Sequence, residues 1–149
     1  MRGKAAAILI VLAFALTGCD PSAGRDYELD ARSFDAQTLN QVERESGIVL
    51  PPNSRGMHFF YQGSKVDPSF FAKVMIPKIS YDSAYAQIER IRDEDISVVN
   101  SSAKHLQWWN PGQETVRVER RYLNKMNFVH LIFCEEKGEW FLYVEWISD

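Results

Sequence analysis

Cysteine, histidine and long apolar stretches are scarce in this sequence, and each shortage removes a class of function. The 149 residues hold two cysteines and three histidines. No Cys-x-x-Cys or His-x-x-x-His pair occurs, so a zinc site lacks its usual ligand spacing. The acidic run Asp93-Glu94-Asp95 has neither the regular oxygen ligands nor the glycine turn of a calcium loop. There is no Gly-x-Ser-x-Gly motif and no phosphate-cradling glycine loop. Paired carboxylates for glycoside hydrolysis depend on closeness in space and leave no spacing to read. The expectation is a protein that is not an enzyme and that uses no metal or cofactor.

The one long apolar run is residues 5–15, preceded by Arg2 and Lys4 and followed by Leu16-Thr17-Gly18-Cys19. It is too short to cross a hydrocarbon core of about 30 Å, which takes roughly 20 residues. A positive start, an apolar middle and small residues before a cut are the layout of a secretory signal. The last four residues resemble the lipobox of bacterial lipoproteins. That resemblance implies diacylglycerol on the Cys19 sulfur, removal of residues 1–18, and acylation of the new amino terminus. Two or three acyl chains hold firmly where one is marginal. Asp20 resembles the residue that retains such lipoproteins in the inner membrane of enteric bacteria, which favours its periplasmic face over the outer membrane.

Removing Arg2 and Lys4 takes the 17 basic residues to 15 against 20 acidic ones, a formal net charge of −5. An acidic domain is a poor partner for nucleic acid. The 149 residues less the first 18 leave 131, enough for one domain with a real core. The expected division is a signal at 1–18, a lipidated start and flexible polar tether at 19–32, and a single domain at 33–149. If lipid consumes Cys19, Cys134 has no partner within the chain. It is then either buried and inert or paired between molecules.

Residues 33–46 pattern as a helix, with Ser33 or Asp35 as cap and Gly47 as stop. Residues 56–62 and 69–76 alternate as two strands of a hairpin. In the first, Met57, Phe59 and Tyr61 share a side. Residues 80–92 form the clearest helix, capped by Ser80, with Tyr81, Ala84, Tyr85, Ile88 and Ile91 on one face. Three further strands follow at 115–122, 128–135 and 139–147. Glu136-Lys137-Gly138 reads as a three-residue loop, which sets Glu135 opposite Glu139, Cys134 opposite Trp140 and His130 opposite Val144. The fold expected is α+β: an antiparallel sheet of about five strands with helices packed on one face, in the order α-β-β-α-β-β-β. The run from Gly47 to Ser54, Gly-Ile-Val-Leu-Pro-Pro-Asn-Ser, followed by two strands, resembles small bacterial lipoproteins of uncharacterised function.

His58 and His130 stand at strand positions among aromatics, where a structural role is expected. His105 lies in a loop. Two surfaces offer binding. Trp108-Trp109-Asn110-Pro111 is a stiff aromatic turn, and tryptophan is enriched at interaction hot spots; alternatively its rings cover the edge of the core. Arg117, Arg120 and Arg121, with Lys125 behind, form a basic strip in which Arg117 and Arg121 share a strand face; cross-strand charge pairing is the competing reading. The function expected is a membrane-anchored, non-catalytic protein-binding module of the cell envelope, with an immunity-type protein as one form it could take. The alternatives are an accessory of envelope assembly that binds a membrane protein or glycan, and a small hydrolase.

Overall fold

Six antiparallel strands form one sheet in the computed structural model, which describes residues 24–64, 66–96, 102–111 and 115–149. The strands are β1 (Tyr27–Asp30), β2 (Arg55–Gln62), β3 (Ser69–Ile76), β4 (Val116–Asn124), β5 (Asn127–Glu136) and β6 (Glu139–Ile147), in the spatial order β1-β2-β3-β6-β5-β4. Two meanders of three strands therefore meet where β3 pairs with β6. Helix α1 (Ala36–Ser46) lies between β1 and β2 in the chain, and α2 (Tyr81–Glu89) between β3 and β4. The class is α+β. The expected signal at residues 1–18, with Leu16-Thr17-Gly18-Cys19 and Asp20, lies outside the described residues. Among those described, no helix is long and apolar enough to cross a membrane.

The sheet has six strands rather than about five, because Tyr27–Asp30 pairs with β2 instead of belonging to a tether. This strand is short and half polar. Its outer turn is held by Gly63, whose N–H donates to the Asp26 carboxylate at 2.9 Å. A Cβ on Gly63 would come within 2.6 Å of the Gly24 and Arg25 backbone, so only glycine permits the contact.

Helix α1 ends as its sequence dictates. Asp35 caps α1 by accepting from the Thr38 N–H at 2.9 Å, and Gly47 closes it in the left-handed region at φ 75°. Its last carbonyls take side-chain donors: the Tyr122 hydroxyl bonds Ser46 O at 2.6 Å and the Asn124 amide bonds Glu45 O at 2.7 Å. α2 is shorter than its pattern, and Ser80 makes no cap bond; a single 3-10 turn, Lys78–Ser80, precedes it. Gln87 of α2 bonds both the N–H and the carbonyl of Val49, each at 2.8 Å, tying the two helical segments together.

Val42 of α1 and Ala84 and Ile88 of α2 join one buried cluster with Phe59, Phe70, Val74, Leu131, Phe133 and Val144 of the sheet. Fully burying one such side chain contributes roughly 1.5–3 kcal/mol. Phe34 lies directly over Gly56, where a Cβ would stand 2.1 Å from the ring. Beside it Met57 is the extra residue of a β-bulge. It is thereby moved off the side of Phe59 and Tyr61 and packs with Met75 and the second cluster of Ile132, Cys134, Phe141 and Tyr143.

The β5–β6 hairpin turns through two residues, Lys137 at φ 52° and Gly138 at φ 83°, as a primed turn requires. The expected three-residue loop is corrected by one position. Glu136 faces Glu139, Cys134 faces Phe141 and His130 faces Glu145. A one-residue slip exchanges the partners on both faces, and it is this slip that assembles the polar groups described next.

Candidate functional site

The sheet face opposite Phe59, Ala72 and Leu131 carries a row of side chains that register brings into line: Asp30, His58, Lys73, Tyr143, Ile132 and Glu119. Lys73 is the one charged residue in β3, a central strand. Its ammonium lies 2.7 Å from Glu136 Oε2 and 4.4 Å from the centre of the Phe141 ring. The other carboxylate oxygen of Glu136 accepts the Tyr143 hydroxyl, and the Cys134 thiol points to it at 3.8 Å. Burial, reinforced by the bond to Glu136, pushes the Tyr143 phenol well above its ordinary range. Cys134 is fully buried, as the inert alternative requires. Charges held in this way are satisfied mainly by one another.

Over this row sits the tryptophan turn, which follows a 3-10 turn at Ser102–His105 and is held by Trp109 N–H bonding Leu106 O at 3.0 Å. Trp109 meets Phe71 and Tyr143 edge-on, at 4.9 and 5.3 Å between ring centres. It covers the sheet. Trp108 instead stacks parallel on His58 at 5.1 Å and donates its indole N–H to Glu28 at 2.7 Å. Burial under that ring, and then the Lys73 charge, hold the His58 imidazole below its ordinary value of 6.5. Beside the turn opens a cleft of about 600 Å³, lined by Lys73, Trp108, Asn110, Thr115, Glu136 and Tyr143. It runs from the middle of the sheet to the Lys137-Gly138 end.

The two arginines of the expected strip part company. Arg121 lies on the cleft face, paired with Glu119 in a second cluster that includes His130 and Glu145. Arg117 is the extra residue of a bulge in β4. It turns to the other face, 3.2 Å from Glu135 and over the Trp140 ring at 5.6 Å. Charge pairing thus accounts for both arginines. Arg120, half-buried, turns to α2 and donates to the Ile91 and Glu89 carbonyls at its end. His105 lies exposed at the end of its turn.

Trp108 and Trp109 were legible in the sequence as site candidates; Lys73, Glu136, Tyr143 and His58 were not. The available signal was Lys73 itself, a lone cation between Phe71 and Met75 in an apolar strand, which demands a buried partner. The arrangement offers an aromatic wall, side-chain amides and a paired cation–carboxylate floor, which suits recognition. No protein-family model, curated protein or solved structure matches the chain.

Proposed function

We propose that the protein is a lipid-anchored lipoprotein of the cell envelope, attached through Cys19, whose domain is a non-catalytic module that binds a protein partner. The observation that carries the reading is the open cleft beside Trp108. The floor charges Lys73 and Glu136 neutralise each other, so they hold the cleft's shape while Trp108, Gln107 and Asn110 meet the partner. In this reading both helices cover the opposite face and leave the cleft face free for recognition. The acidic balance of the mature chain steers a basic protein towards it. A domain of this kind, held on the periplasmic side of the inner membrane, suits an immunity-type protein that occludes an incoming toxin.

The second reading, an envelope accessory that binds glycan, is favoured by one feature. The Trp108 ring stands beside the amides of Gln107 and Asn110, a combination that suits a sugar ring and its hydroxyls. One comparison separates the readings. Full-length wild type and Trp108→Ala are captured from envelope extracts, with melting curves run in parallel. Trp108→Ala is chosen because Trp109 packs on the buried Phe71 and Tyr143. Binding to a protein is expected with wild type and is lost in the variant, whose melting curve remains a single cooperative transition, lowered only by the lost stack on His58 and bond to Glu28. Equal recovery of every bound protein by both would contradict the proposal, and retention on glycan beads alone would favour the accessory.

A further inference from the structure

The strand register gathers three exposed apolar residues at the end of the sheet where the chain enters from its amino terminus. Gly24 and Arg25 lie against Gly63 at that end, and Gly63 begins the β2–β3 turn. Val66, 79% exposed, stands in the same turn. The Lys125-Met126 turn joins β4 to β5 at the same end, because Leu123 pairs with Phe128 and Phe128 with Ile147, which in turn faces Ser69. Met126 is 69% exposed at its tip and Leu123 46% exposed just above. Arg25 and Lys125 flank them, together with Asp26 and Asp67.

We infer that this end of the domain rests on the bilayer that carries the anchor, with Val66 and Met126 dipping into its interface, and that the cleft consequently opens away from the membrane. The inference rests on the reading that Cys19 is lipidated. Gly24 is five positions along the chain from Cys19, and five fully extended steps span at most about 18 Å. Strands of eight to ten residues are about 30 Å long. The domain therefore cannot invert to bring its Lys137-Gly138 end to the lipid. The strand at Tyr27–Asp30 is what shortens the link: a flexible tether through residue 32 would have left the domain free to stand clear. A cleft facing away from the bilayer fits a partner that arrives from the aqueous side.

Site-specific fluorescence tests the inference on the full, processed chain. The protein is reconstituted into vesicles of phosphatidylethanolamine and phosphatidylglycerol containing a nitroxide-labelled lipid as quencher. One fluorophore at a time is attached through Val66→Cys, Met126→Cys or Ile79→Cys; lipid occupies Cys19, and Cys134 is fully buried. Ile79 is the control, being 97% exposed and apolar but at the opposite end, just beyond Ile76 and Pro77. Labels at positions 66 and 126 are expected to be quenched several-fold more strongly than the label at 79. Equal quenching at all three, or stronger quenching at 79, overturns the inference. Flotation of the same vesicles separates the two failures. A chain that floats with unquenched labels at 66 and 126 refutes only the orientation, whereas a chain that does not float refutes the anchor and the orientation with it.

Discussion

His130 and Glu145 face each other across β5 and β6, with the imidazole Nδ1 3.3 Å from the carboxylate and the other ring nitrogen 2.7 Å from Glu119. The ring thus separates two carboxylates, one of them on a nearly buried residue. Replacing His130 with alanine leaves the Glu145 carboxylate without this partner, and such a group costs about 1–3 kcal/mol. The expected outcome is a loss of that size for His130→Ala and a smaller further change when Glu145→Gln is added. A coupling energy of at least about 0.5 kcal/mol in a double-mutant cycle, read by urea unfolding, is the check. Strict additivity would show that the two residues act independently.

His58 gives a pH dependence with a defined sign. Its imidazole is held below 6.5 by burial and by Lys73. The unfolded chain therefore binds the proton more readily than the folded one. The stability this group contributes is complete above pH 6.5 and declines as pH falls through that value. NMR titration should place the His58 midpoint below 6.5. Trp108→Ala, which uncovers the ring, and Lys73→Met, which removes the charge, should each raise it. An unmoved midpoint in both variants would contradict the stacking and the electrostatic cause together.

Two glycines should resist alanine for different reasons. At Gly56 the new methyl would strike the Phe34 ring at 2.1 Å, so Gly56→Ala should cost about 1–3 kcal/mol through overpacking. Phe34→Leu in the same chain should recover part of that loss. At Gly138 there is open space, but the backbone is left-handed at φ 83°. The cost there should be about 1–2 kcal/mol and indifferent to any neighbour. Thermal or chemical unfolding of the single and double variants separates the two mechanisms.

Asp35 should mark the acid limit of α1. Its carboxylate is held below its ordinary 3.8, chiefly by the Thr38 N–H it accepts. Its contribution is present above that value and is lost as pH falls through the lower folded-state value. Asp35→Asn, a good cap without the charge, should melt with a shallower loss of stability below about pH 4. Identical acid melting profiles for the two proteins would remove the cap from the account.

Much of the fold could be read from residue patterns, because local chemistry decided it. The bodies of both helices, the cap at Asp35, the stop at Gly47, and β2 and β3 follow from spacing and turn residues. Register did not follow. Residues on both faces of β5 and β6 are largely apolar, so a slip of one position exposes nothing and the pattern cannot choose between pairings. The two-residue turn at Lys137-Gly138 made the choice, and with it the meeting of His130 with Glu145. The bulges at Met57 and Arg117 are invisible for a related reason: each re-aims one side chain without disturbing the alternation around it. Arg117 and Arg121 look like neighbours on one face and lie on opposite ones. β1 escaped notice because four half-polar residues beside Gly24 resemble a linker until the register of β2 claims them.

Attachment through Cys19 underlies both the function and the orientation proposed, and metabolic labelling tests it most directly. Cells expressing the full chain or Cys19→Ser are grown with radioactive palmitate, and the membrane fraction is examined. Label is expected on the wild-type protein and absent from the variant, which should appear as soluble or unprocessed protein with its domain still folded. Palmitate incorporated equally into Cys19→Ser would contradict the account.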